Sequence, residues 1–373
     1  MKVGILTFHR AHNYGAFLQA FALKTYIESL GNKVVFVDYE DKNHHSLYRL
    51  FGIVNEKDKK RSLFSVIKLL VKQIILFVPR YKRYKSFQRE IMDKLGVKGY
   101  PIFNPEQLLD NCDIYIYGSD QIWRKDSYVG GFDKVFWGES PITKAKKIAY
   151  AASMGKLVTE EEDKEWVKRH LKNFSKISVR EEHLKSFIQQ LNNDIEIETV
   201  CDPTLLLDKE VWIEKFSLTK QDKYKNILFF YHLLKSKKAN DFVKDVQKEK
   251  DYKVVELTGE VTPLFFKRDF KQDVGPKEFL EYLYNADIII STSFHGVVFS
   301  LIFEKEFYAM GMDSNNTRVL SLLGKVGLLN RYIKDSDNLP TLEERINYNI
   351  VKEKLRDYTF LSKEFIKNNI NIV

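Results

Sequence analysis

Short apolar runs alternate with amphipathic stretches along most of the chain, the pattern of repeated βα units and mostly parallel sheets. The spacing predicts strands at Val3–Phe8, Lys33–Asp38, Ile114–Tyr117, Lys147–Ala151, Lys176–Val179 and Glu196–Val200. A second set falls at Asn226–Tyr231, Lys253–Leu257, Ile288–Ile290 and Phe307–Ala309. A helix is expected from about Ala16 to Leu30, stopped at Gly31, where a carboxyl cap belongs. Strand signals lapse from Asp202 to Asp222. The chain therefore divides into an N-terminal domain over 1–207, a C-terminal domain over 208–340 and a helical tail over 341–373.

An insert at about 55–95 breaks the alternation. Within it Leu63–Val78 is apolar apart from Ser65, Lys68, Lys72 and Gln73. Pro79 is expected to end that helix, and Arg80, Lys82, Arg83, Lys85 and Arg89 follow. Spanning a bilayer takes about 20 apolar residues, more than this run supplies. Two readings remain: a helix buried against the sheet, or one lying in a membrane interface, with peripheral contact through residues 63–89.

A length of 373 residues suits two domains, and 27 Phe and 20 Tyr can fill two cores. Charged residues are interspersed, which argues against disorder. The net charge of +9 suits acidic partners, but the lysines are dispersed and no nucleic-acid-binding motif occurs, so nucleic acid is excluded as a partner. Cys112 and Cys201 lie far apart with no metal-ligand spacing, so a reduced, cytoplasmic chain without a metal is expected. The first residues read as a strand, not a secretory signal.

The most informative stretch runs from Ala286 to Ser300. A buried strand leads through Ser291-Thr292-Ser293 into Phe294-His295-Gly296 and an apolar helix. In open α/β sheets, ligands bind where a strand's carboxyl end feeds a helix amino terminus, and a histidine there can move a proton near neutral pH. A second loop, Thr7 to Ala16, carries His9, Arg10, His12, Asn13, Tyr14 and Gly15, with Asn13 placed to cap a helix. A third, Gly118-Ser119-Asp120-Gln121-Ile122-Trp123, offers hydroxyl- and sugar-binding groups, or else a capped helix over a core tryptophan. Arg180 ends a strand. It can bind an anion or pair structurally with Glu181 or Asp202. Arg318 can grip a carboxylate or phosphate bidentately.

Taken in order, Asn13-Tyr14-Gly15-Ala16 with Gln19, Gly118–Trp123, Tyr150–Gly155, Ser178–Glu181, Asp202-Pro203-Thr204, Val274-Gly275-Pro276 and Ser293–Gly296 resemble the polysaccharide pyruvyl transferase family. The resemblance runs from about residue 3 to about residue 330. It implies two Rossmann-like domains facing a GT-B-like cleft, with the C-terminal helix packing back on the first domain. It also implies pyruvate transfer from phosphoenolpyruvate, as co-substrate and without a cofactor, onto a surface polysaccharide or its precursor, free or lipid-linked, to form a ketal. His295 maps onto the family's catalytic histidine. The arginine that opens the family's Arg-Leu-His-Gly motif is replaced by Ser293, so donor binding would pass to Arg318 and Arg180, with Ser293 and Gly296. Asn13, Tyr14, Gly15, Ser119, Asp120, Gln121 and Trp123 would line the cleft and the acceptor side. The chemistry expected is protonation of the donor's methylene carbon by His295 and attack by a sugar hydroxyl. Two other classes are a GT-B-like glycosyltransferase using a nucleotide sugar, and a non-catalytic, membrane-associated subunit of polysaccharide assembly at the inner membrane face.

Overall fold

The computed structural model describes residues 1–47, 63–127, 129–233, 236–259, 261, 269–311, 316–334 and 345–370. The part of the expected insert before residue 63 lies outside them.

The N-terminal domain is a six-stranded sheet with strands β1 (Lys2–Leu6), β2 (Lys33–Phe36), β3 (Ile114–Tyr117), β4 (Lys146–Ala152), β5 (Lys176–Val179) and β6 (Ile197–Thr199). Their order is β2-β1-β3-β4-β5-β6, and every pairing is parallel. Helices α1 (Tyr14–Ser29), α2 (Lys42–Leu47), α3 (Leu63–Glu90), α4 (Glu161–Leu171) and α5 (Glu182–Leu191) belong to this half. β3 is buried along its whole length, which is why it reads as an unbroken apolar run.

The C-terminal domain repeats the plan. Its strands are β7 (Ile227–His232), β8 (Lys253–Thr258), β9 (Asp269–Lys271), β10 (Ile288–Ser291), β11 (Glu306–Met310) and β12 (Tyr332–Ile333). They are ordered β12-β11-β10-β7-β8-β9, again all parallel. Helices α6 (Lys209–Phe216), α7 (Lys237–Lys250), α8 (Pro276–Asn285), α9 (Phe294–Ile302), α10 (Asn316–Val326) and α11 (Tyr348–Ile370) complete the described chain. The short edge strands β9 and β12 had no apolar run long enough to announce them.

The strand order reverses direction between β1 and β3 in one sheet and between β7 and β10 in the other. Crevices at the carboxyl ends of the strands open at these two points. The domains meet through α1, which is buried on every side from Tyr14 to Leu23 because it packs on its own sheet and on the opposite domain. Tyr14 stacks on Phe279 at 4.4 Å, and Phe21 meets Trp212 at 5.5 Å. The tail helix α11 returns to the first domain: Ser362 Oγ accepts from the Cys201 N–H at 2.8 Å, and Tyr358 donates to the Val200 carbonyl at 3.1 Å.

Pro79 does not end α3. The helix continues to Glu90 with the proline inside it. A proline leaves the carbonyl four residues earlier without its N–H, and that residue is Ile75, on the solvent side of the helix. Water can satisfy the freed group there.

Candidate functional site

A cavity of about 230 Å³ opens between the domains at both crevices. The loop after β1 supplies Thr7, Phe8, Arg10 and Asn13, and the loop after β3 supplies Asp120, Gln121 and Arg124. The C-terminal domain contributes Leu233 after β7, Ser293, Phe294 and His295 after β10, and Arg318. Two helix amino termini, those of α1 and α9, therefore point their positive ends into one space.

His295 is the second residue of α9. Its Nε2 lies 3.7 Å from Asp202 Oδ2, beyond hydrogen-bond reach, and has no hydrogen-bond partner among the described residues. Asp202 is locked in place. One oxygen accepts from the Thr204 backbone N–H and hydroxyl at 3.0 and 2.6 Å, and the other accepts from Arg180 at 2.6 Å. Burial pushes the Asp202 carboxyl up, but the His295 ring, Arg180 and Thr204 more than offset this and hold it well below the ordinary carboxylate range. It is an anion fixed beside an imidazole.

Arg180 is buried and does not line the cavity. Its Nε donates to Glu181 at 3.2 Å and its other arm to Asp202, the structural pairing that the sequence left open. Burial works against its charge, and Glu181 and Asp202 restore it. Arg318 differs. It is only half-buried at the cavity wall, and among the described residues no hydrogen bond or ion pair engages it. Its pKa is lowered, by burial first and by the like charge of Arg180 second. Phe294 carries both guanidiniums against its ring, Arg180 at 5.1 Å and Arg318 at 5.7 Å. An unpaired cation at the wall of a cavity, beside two helix amino termini, is a site for an anion.

The opposite wall is built from pairs. Arg10 donates to both oxygens of Asp38, at 2.5 and 2.6 Å, and His9 Nε2 lies 3.0 Å from the same carboxylate. Burial raises Asp38, but these two partners bring it below its usual value. His44 contacts Asp126 at 3.0 Å, and Arg124 reaches the same carboxylate. Glu40 and Asp41 also line this side. These polar groups around the rim can take sugar hydroxyls.

The remaining sequence candidates separate clearly. Asn13 caps α1 by accepting from the Ala16 N–H at 3.2 Å, and it lines the cavity with Asp120 and Gln121. Ser119 is buried behind it, with its hydroxyl 3.4 Å from Asp202 and its N–H donating to Gln19. Gly15 faces His295, and Gly296 faces Ser291. Two expectations are corrected. Trp123 cannot stack on a sugar, because its ring lies fully buried on Trp137 at 4.6 Å and its N–H donates to the Phe136 carbonyl. Tyr14 turns away from the cavity and donates to the Val274 carbonyl across the domain interface at 2.8 Å. Asp202 as the neighbour of His295, and Glu40, Asp41 and His44 on the far wall, were not singled out. The signal for the last three was their place just after β2, next to the first strand of a parallel sheet.

Among the described residues no group of acidic, histidine and cysteine side chains could hold a metal ion.

Paired parallel-sheet α/β domains around an interdomain cleft define a GT-B-like protein. The fold is similar to that of UDP-GlcNAc 2-epimerase from Methanocaldococcus jannaschii, solved with UDP-GlcNAc and UDP, at 12% identity, full coverage of both chains and a TM-score of 0.50. A glycosyltransferase from Rickettsia africae is similar at 11% identity, covering 100% of this chain and 99% of its own, with a TM-score of 0.49. No curated protein matches the chain. The polysaccharide pyruvyl transferase family model matches residues 13–314, and the chain belongs to that family of transferases.

Proposed function

We propose that this chain transfers the pyruvate unit of phosphoenolpyruvate to a saccharide of a surface polysaccharide or its precursor, free or lipid-linked, as a ketal. The single observation that carries this reading is the unpaired Arg318 in one cavity with the unbonded Nε2 of His295. A small dianion with a carboxylate and a phosphate needs such a cation, and the amino termini of α1 and α9 supply further N–H donors.

In this mechanism protonated His295 gives its proton to the methylene carbon of the donor, which becomes the methyl group. Positive charge develops at the neighbouring carbon and is shared with the enol oxygen. A sugar hydroxyl attacks that carbon, and Asp120, on the same cavity, accepts the hydroxyl proton. A second hydroxyl of the sugar then displaces phosphate, closing the ketal and releasing the second proton. Asp202 stays ionised throughout and steadies the imidazolium; it is a positioning residue. Nothing in this sequence calls on a metal or cofactor, and the reaction belongs in the cytoplasm, where the donor is made.

Calorimetric titration with phosphoenolpyruvate tests the donor. Saturable binding is expected, weakened about tenfold or more in Arg318→Ala, as befits a lost charged hydrogen bond of about 1.5–3 kcal/mol. Absence of binding to the wild-type protein removes phosphoenolpyruvate as donor. If His295→Ala forms product at the wild-type rate, the acid is another residue.

A further inference from the structure

The long helix α3 turns apolar side chains outward over part of its length. Val71, Ile74, Ile75, Val78 and Tyr81 are 48%, 74%, 61%, 57% and 44% exposed. At 3.6 residues per turn these five fall within about 120° of arc. The opposite face carries Leu76, Arg83, Phe87 and Glu90, all buried against the protein. This is the reverse of a helix using its apolar stripe for the core. An exposed contiguous apolar stripe marks a surface made to be covered.

The charges say what covers it. Farther along the helix the same arc continues as Lys82, Lys85 and Arg89, all exposed. These three go on to line a groove of about 1050 Å³, which Lys98, Lys223 and Lys271 join; its six cations outnumber its three carboxylates. A second copy of this chain would bring the same cations to the contact, whereas an anionic lipid surface complements them. Among the described residues no helix is long and apolar enough to cross a membrane, so any lipid contact made by them is peripheral.

We propose that α3 docks the protein on an anionic bilayer surface. The stripe from Val71 to Tyr81 enters the acyl boundary, and Lys82, Lys85 and Arg89 meet the head groups. The inner face of the same helix holds Arg83 against the carbonyls of His12 and Thr258, one from each domain, at 3.4 Å. The docked helix is thereby tied to both walls of the cleft.

Flotation of the full-length chain with phosphatidylglycerol-rich vesicles, against pure phosphatidylcholine, tests this without donor or acceptor, so its outcome is independent of the proposed reaction. Binding to the anionic vesicles is expected, reduced by salt. The Lys82→Glu/Lys85→Glu variant should bind about 25-fold more weakly or worse, at roughly fivefold for each cation removed. Ile74→Ser/Ile75→Ser should also lose binding. Ile74→Trp keeps the stripe apolar and should show a blue shift of emission when anionic vesicles are added. No flotation of the wild-type chain, unchanged flotation of both double variants, or no blue shift overturns the proposal. A dimer abolished by Ile74→Ser/Ile75→Ser, with no vesicle binding, also overturns it and gives the face to a second copy.

Discussion

A Cβ on residue 15 would stand 2.0 Å from Nδ1 of His295, so the glycine on α1 and the histidine on α9 occupy each other's space across the domain interface. The contact sets the imidazole from both domains at once. Gly15→Ala is compatible with the helix itself, but the ring must move. We expect transfer activity to fall at least 100-fold, while overpacking lowers stability by about 1–3 kcal/mol. Turnover and thermal melting of the variant give the two numbers. Near-normal turnover would show that His295 tolerates displacement and that its position is not critical.

Arg318 exchanges stability for function. Its charge is half-buried beside Arg180 and has no carboxylate of its own among the described residues. Burying an unpaired cation is costly, so Arg318→Met should raise the stability of the donor-free protein by about 1 kcal/mol while donor binding is lost. Urea unfolding and calorimetry of the same preparation check both. A variant less stable than wild type would mean that Arg318 serves the fold.

Asp202 supports the fold in a pH-dependent way. Its folded carboxyl is held below the unfolded value of about 3.9. The stabilisation is complete above that value and disappears as pH falls from about 4 towards the folded value. Asp202→Asn retains an acceptor for Thr204 but takes away one of the two carboxylates that pair with Arg180, leaving Glu181, and breaking a buried pair costs up to about 3–5 kcal/mol. Unfolding followed from pH 7 to pH 2 should show a large loss at neutral pH that narrows below pH 4. A difference that does not change with pH would remove the ion pair from the explanation.

Asp133 behaves in the opposite sense. Burial pushes its carboxyl up to about 6, despite hydrogen bonds from the Val135 N–H and the Tyr39 hydroxyl. A raised carboxyl stabilises the fold at low pH and loses that contribution as pH rises from about 4 through 6. Asp133→Asn keeps both acceptor contacts, so it should gain about 2 kcal/mol over wild type at pH 8 and be nearly neutral at pH 4. A flat difference across that range counts against the shift.

The central strands were legible because parallel strands buried on both faces leave unbroken apolar runs, as in Ile114–Tyr117 and Ile288–Ser291. The strand, loop and helix that carry His295 were legible by the same logic. Side-chain direction was not legible. Trp123 and Tyr14 lie in motif positions, yet their rings are spent on the core and on the domain contact. Arg180 and Arg318 look alike in sequence. Only the fold gives one two carboxylates and leaves the other with none among the described residues. Pro79 misled because a proline's effect depends on whether the carbonyl it frees can reach water.

The all-round burial of α1 from Tyr14 to Leu23 bears on inheritance. One side of this helix belongs to its own sheet and the other to Phe279 and Trp212 of the second domain. Neither half can be traded for that of a distant relative without also replacing the surface that receives it. Variation in sugar preference is therefore expected to accumulate in the loops around the cavity rim, where a change disturbs no shared packing. New specificities in this architecture should arise by loop substitution and only rarely by domain exchange.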